Sequence, residues 1–179
     1  MSDDRIAVEH DAPYWCEENV WHLVADPRLG PGTREVAIIT NADRRVALFH
    51  QRASTMPDGL VVWDYHVVAF AQAADGWQAW DLDTTLGFPV PALEYLERTF
   101  PPALDATWQP MFRIVAAAEY RARFGSDRSH MRDAAGAWQQ PPPSWPAIGT
   151  THSLPRLLDL ADPGEGPWLD AAALAQRYR

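Results

Sequence analysis

The sequence predicts an α+β fold, with an antiparallel sheet packed against an N-terminal helix. Three observations carry that expectation. Apolar residues recur at helical spacing in the run from Trp15 to Val24. Several runs rich in β-branched and aromatic residues follow, joined by turns too short for parallel crossovers. Helical patterns then return in the second half of the chain.

Taken in order, residues 1–12 are polar and read as a loose arm before the domain, which is expected to span 1–179 without a second boundary or an internal repeat. In the first helix Cys16, Val20, Leu23 and Val24 share one stripe, while Glu17, Glu18 and Asn19 point elsewhere. Asp26 to Gly32 is a breaker-rich loop. Glu35–Thr40 and Val46–His50 are strand patterns joined by a turn at Asn41 to Arg44. Leu60–Ala71, apolar on both faces, reads as the central strand. Ala73 to Gly76 turns it into a hairpin partner, Trp77–Leu82. Pro91–Phe100 is helical, Met111–Val115 a strand, and Ala116–Phe124 a helix ending at Gly125. Residues 126–150 are irregular and proline-rich. The run Pro141 to Pro146 could be read by a partner as polyproline, but a rigid loop with Trp145 buried against the body fits better. Short helices at Leu154–Leu160 and Leu169–Tyr178 complete the chain.

Composition removes several function classes. The 179 residues are 47% hydrophobic with nine tryptophans, enough for a substantial core. A net charge of −9 argues against nucleic acid as a partner. No apolar run is long enough to span a membrane, and the N-terminus lacks the layout of a signal peptide. One cysteine excludes an intrachain disulfide and fits a reducing cytoplasm. Apart from histidine every basic side chain is arginine, from which no function follows.

That cysteine is also the first candidate for chemistry. Cys16 opens a helix behind Pro13, where the positive end of the dipole favours thiolate. Glu17 and Glu18 oppose this, and a lone cysteine is commonly a small buried hydrophobe. A cysteine hydrolase needs a base and a group to orient it. His66 sits among apolar neighbours in the strongest strand pattern. If Gln72 pairs with Trp77 across the turn, Asp83 falls opposite His66 and Asp81 two residues along on the same face. Strand periodicity does not choose between the two acids. The order Cys, His, Asp matches the papain and transglutaminase arrangement in outline. No residues show metal-ligand spacing and no glycine-rich phosphate loop is present, so neither metal nor cofactor is expected. Ser129 and His130 adjoin in sequence, but such neighbours seldom meet as nucleophile and base.

The chain resembles the protein N-terminal glutamine amidohydrolases in several blocks. They are Trp15 to Trp21 (WCEENVW), Val62 to Val68 (VWDYHVV), Asp81 to Thr84 (DLDT) with Phe88-Pro89, and Phe112 to Ile114. Phe124 to Met131 (FGSDRSHM), Gly136, Trp138 and the prolines at 141–143 complete the set. The blocks span about residues 14–148, and the last thirty residues match weakly if at all. The resemblance implies a transglutaminase-like, papain-related fold with nucleophile Cys16, base His66 and orienting carboxylate Asp81. It also implies deamidation of an N-terminal glutamine to glutamate through a thioester, the product feeding a degradation signal in the family.

On that reading the Cys16 backbone N–H is one oxyanion donor, and the second comes from the Trp15 region or the loop after Phe124. An ion pair with His66, reinforced by the helix end, is expected to outweigh the two glutamates. The substrate's α-ammonium needs an acceptor, for which Glu17, Glu18, Asp64 and Asp127 are candidates and Asp127 is preferred. The expected partners are peptides or proteins with N-terminal glutamine, acted on by a monomer. A transglutaminase-type or peptidase reaction, and a non-catalytic peptide-binding module, are the rival readings.

Overall fold

The computed structural model describes residues 9–162 and 166–179. The expected loose arm therefore lies mostly outside the described residues, but its last part is held. The Ala12 N–H donates to Asn19 Oδ1 at 3.0 Å, Asn19 Nδ2 donates to Ala12 O at 2.8 Å, and the His10 ring stacks on His22 at 3.8 Å. Asn19 thereby fastens the turn that leads into the first helix.

Helix α1 is Cys16–Leu23. Six strands then build one sheet: β1 (Arg34–Thr40), β4 (His66–Ala73), β5 (Gly76–Trp80), β6 (Val90–Pro91), β7 (Met111–Ala116) and β8 (Trp168–Leu169). Their order is β6-β5-β4-β1-β7-β8, every neighbouring pair antiparallel. Two short strands, β2 (Val46–Leu48) and β3 (Val61–Trp63), form a separate hairpin-like pair. The remaining helices are α2 (Ala92–Thr99), α3 (Ala117–Arg123), α4 (Leu154–Leu157) and α5 (Ala171–Arg177).

Alternation along β1 explains the layering. Val36 and Ile38 join a core cluster with Val20 and Leu23 of α1, Tyr120 of α3 and Leu154 of α4. Ala37 and Ile39 face the other way, among Tyr95 and Leu96 of α2 and Leu174 of α5. The sheet is thus covered by helices on both faces. Each Ile, Leu or Val so buried contributes roughly 1.5–3 kcal/mol.

The expected hairpin register holds, with Gln72 opposite Trp77. The continuous strand expected over Leu60–Ala71 does not. It breaks at Asp64-Tyr65, where the Asp64 carboxylate accepts the Tyr65 N–H and its carbonyl accepts Thr40 Oγ1. Leu60–Ala71 looked uniform because both halves are apolar, although β3 pairs with β2 and only β4 enters the main sheet. His66 is consequently the first residue of β4, at the end of the sheet rather than in mid-strand.

The last thirty residues, assigned no role from sequence, extend the sheet through β8 and cover it through α5. Glu35 accepts bonds from Arg177 Nε at 3.1 Å, Arg177 Nη2 and Tyr178 Oη. Arg113 is fully buried and donates to the carbonyls of Arg156, Leu157, Asp159 and Asp162 at 2.6–3.0 Å. That one side chain ties the segment after α4 to β7. Among the described residues no helix is long and apolar enough to cross a membrane.

Candidate active site

Cys16 begins α1 behind Trp15, which is completely buried and donates its indole N–H to Pro141 O at 2.9 Å. Cys16 is half-buried and lines a cavity of about 370 Å³ together with His66, Asp83, Asp64, Trp63, His130 and others. That volume lies in the range that takes a small ligand. Six separated parts of the chain meet there: the start of α1, Arg44 between β1 and β2, the β3–β4 break, Asp83 beyond β5, the loop after Phe124 and the segment from His152 to Leu158.

His66 and Asp81 are both buried, and His66 Nε2 stands 2.9 Å from Asp81 Oδ1. Strand β5 ends at Trp80, so the residues beyond it are not held in the hairpin register. The turn there puts Asp81 against the ring, while Asp83 gives its backbone N–H to the same Oδ1 at 2.9 Å. Tyr95 of α2 donates to Asp81 Oδ2 at 2.9 Å, a contact no sequence pattern announced. With Nε2 directed at the carboxylate, Nδ1 is the ring nitrogen left for other partners. Trp63 lies nearly parallel to the imidazole at 6.0 Å.

The electrostatics follow from burial and these bonds. Burial opposes the charged imidazole, but the Asp81 charge and hydrogen bond, helped by Asp83 and Glu17, hold the His66 pKa above its ordinary value. Burial likewise opposes ionised Asp81, yet His66 and the donors from Asp83 and Tyr95 keep it below the usual carboxylate value. The Cys16 thiol is pushed well up, first by burial, then by the charges of Glu17, Asp83 and Asp81; the Val67 N–H opposes this. Burial first, and then three nearby carboxylates, thus work against the thiolate expected at the helix start.

The two glutamates of α1 differ most from expectation. They were expected to point away from the core, yet Glu17, Glu18 and Asn19 are all buried, because the loop after Phe124 covers the outer face of the helix. Glu18 accepts Arg128 Nε at 2.9 Å, Arg128 Nη2 at 2.7 Å and Trp145 Nε1 at 2.8 Å. Trp145 thus packs against the body as the rigid-loop reading expects, although it is half-buried rather than buried. Glu17 accepts Tyr65 Oη at 3.0 Å, lies 3.6 Å from Cys16 Sγ and 3.2 Å from His130 Nε2. Glu17 Oε1 makes no well-aligned hydrogen bond.

The other candidates fall in different settings. Asp64 is exposed on the cavity wall. Asp127 is exposed and accepts the Ser129 N–H at 2.9 Å and Ser129 Oγ at 2.7 Å, bonds that hold its carboxyl below the usual value. Its loop contributes His130 and Met131 to the cavity wall. Ser129 and His130 direct their side chains to different acids, Asp127 and Glu17. Tyr95, Tyr65 and Arg128 were not singled out as functional from sequence, and His130 only as half of the Ser129–His130 pair set aside there; Tyr65, Arg128 and His130 lie in the blocks around His66 and Ser129, whereas Tyr95 lies in none.

His66, Asp81 and Asp83 also bring ligand atoms within 4.8 Å of one another, a grouping that sequence spacing did not show. Both Asp81 oxygens already accept hydrogen bonds within the protein. A cation there would have to displace them.

The family model for N-terminal glutamine amidase matches residues 11–177. The chain belongs to that family. It is similar to the protein N-terminal glutamine amidohydrolase of Arabidopsis thaliana, with 40% identity over 84% of this chain and 75% of that protein. Identity to the Bos taurus protein of the same name is 36% over 88% of this chain and 79% of that protein. For the Homo sapiens protein it is 35% over 81% and 74%. The amidase family match extends through α5 and so takes in most of the last thirty residues.

Proposed function

We propose that this chain hydrolyses the side-chain amide of an N-terminal glutamine in peptides and proteins, giving glutamate and ammonia. One observation carries the reading: in a chain of the amidase family, Cys16 and a carboxylate-bound His66 line one cavity. Cys16 Sγ attacks the carboxamide carbon as His66 takes the thiol proton. The carbon–nitrogen bond breaks when His66 returns that proton to the departing amine. Water, deprotonated by His66, then hydrolyses the thioester and frees the thiol. Asp81 holds the ring and stabilises its charged form. The Cys16 backbone N–H, first in α1, faces no carbonyl of a preceding turn and serves as an oxyanion donor.

A transglutaminase-like, papain-related fold is part of the same reading. Its support is the sequence of a nucleophile opening a helix, a histidine on a following antiparallel strand and an aspartate just past the next. The same reading takes the chain as one catalytic domain acting as a monomer.

The test is to incubate the protein with peptides carrying glutamine first or internally, measuring ammonia and the amide-to-acid mass change. Turnover confined to the N-terminal position and abolished in Cys16→Ala is expected. Release from internal glutamine, or cleavage of the peptide, would refute it.

A further inference from the structure

The carboxylate nearest the sulfur is neither Asp81 nor Asp83 but Glu17, which the hydrolysis described above does not use. Glu17 is fully buried, its Oε2 is 3.6 Å from Cys16 Sγ, and its Oε1 has no aligned donor. The nearest nitrogen is His130 Nε2 at 3.2 Å, on a ring that lines the cavity and whose two nitrogens both lack hydrogen-bond partners. His130 stacks on His152 at 4.9 Å, which fixes the plane of the ring. An imidazole backed by a buried carboxylate, with its other nitrogen buried and without a partner, is an acceptor for a cation.

We propose that Glu17 and His130 receive the α-ammonium of the substrate, and that its arrival there offsets the Glu17 charge that faces the Cys16 sulfur. This rests on the amidase reading and adds to it a link between recognition and activation. With the cavity empty, the Glu17 carboxylate faces the sulfur and opposes its ionisation. An ammonium beside the His130–Glu17 pair offsets that charge, so the thiol proton passes to His66 only when a charged N-terminus is in place. A substrate with a blocked N-terminus brings no such charge and leaves the nucleophile protonated.

The other titratable groups around Cys16 are accounted for. Asp83 and Asp81 act on the sulfur in the same direction as Glu17, and both face His66. Tyr65 is held neutral and hydrogen-bonds Glu17; Tyr120 donates to the Glu17 carbonyl. Glu18 is committed to Arg128. Among them Glu17 has both the short approach to the sulfur and an unsatisfied oxygen.

The chain has one cysteine, so the ultraviolet absorbance of its thiolate, with Cys16→Ser as the blank, reports this group alone. The probe is norleucyl-glycyl-glycine, an uncharged glutamine isostere, at concentrations that compete with Gln-Gly-Gly. Its binding should lower the thiol midpoint by about one pH unit or more, while the N-acetylated peptide should not. Glu17→Gln should start from the lowered midpoint and stay there when the peptide binds. Tyr65→Phe, which keeps the Glu17 charge, should retain the peptide response. An unmoved midpoint in the wild-type protein, or a free-amine peptide that fails to compete, overturns the proposal, and the competition measurement needs no variant. Normal release of ammonia from Gln-Gly-Gly with an unmoved thiol refutes the gate alone. No release at all refutes the amidase reading.

Discussion

Arg128 grips Glu18 through two hydrogen bonds of 2.9 and 2.7 Å, although 110 residues separate them in the chain. The arginine adopts a left-handed backbone (φ 61°) to present its side chain, and it also donates to the Trp145 carbonyl at 2.9 Å. The two most distinctive sequence blocks, Cys-Glu-Glu-Asn and Ser-Asp-Arg-Ser-His-Met, are therefore two halves of one buried contact. It clamps the proline-rich loop over α1, and with it the His130 wall of the cavity.

Removing one partner of that clamp leaves a charge buried without its counterion. Arg128→Met should destabilise the fold by about 3–5 kcal/mol, read from urea unfolding. Pairing it with Glu18→Met should recover much of the loss, since two apolar side chains leave no stranded charge. A double variant no more stable than Arg128→Met would show that the pair is not acting as a unit.

The imidazole–carboxylate contact should govern the pH profile. As His66 is held above its ordinary value by Asp81, the ascending limb of kcat/KM should lie above about pH 6.5. Asp81→Asn should move that limb downward and lower kcat about 10³-fold or more. Stability carries the same signature with a definite sign. The part due to His66 is fully present below about pH 6.5 and is lost as pH rises through its raised folded value. The part due to Asp81 is present above about pH 3.9 and is lost as pH falls through its depressed folded value. Urea midpoints of wild type and Asp81→Asn should therefore differ most between those limits.

Tyr95 tests whether support from α2 matters to the chemistry. Tyr95→Phe deletes the donor to Asp81 Oδ2 while keeping the ring in the core. A hydrogen bond to a charged group is worth roughly 1.5–3 kcal/mol, so kcat should fall about tenfold with KM little changed. A rise in KM with kcat intact would place Tyr95 in binding instead.

Arg113 governs the opposite wall. Arg113→Met strips donors from four carbonyls between Arg156 and Asp162 and should cost about 2–4 kcal/mol. Because Leu154, Pro155 and Leu158 line the cavity, KM should also rise. Thermal unfolding alongside steady-state kinetics separates the two effects.

Local structure was readable in the sequence wherever neighbouring residues decide it. The stripe from Cys16 to Val24, the Gln72–Trp77 turn, and the helices ending near Phe100 and Gly125 follow from spacing and breakers. The candidate triad could be named because hairpin geometry narrowed the acids to two and the resemblance chose Asp81. Long-range covering was not readable. Glu17 and Glu18 look like solvated acids on any helical wheel, and only the return of the chain at Arg128, His130 and Trp145 buries them. The break at Asp64-Tyr65 was hidden for a similar reason: two short apolar strands of different sheets read as one long one.

The cavity draws its lining from Tyr14 near the start of the chain and Leu158 near its end. No fragment of the sequence, however well it collapses, holds even a crude version of that chamber. The hydrolytic chemistry is thus a property only of the finished molecule, and a half-made chain carries a sulfur with nowhere to work.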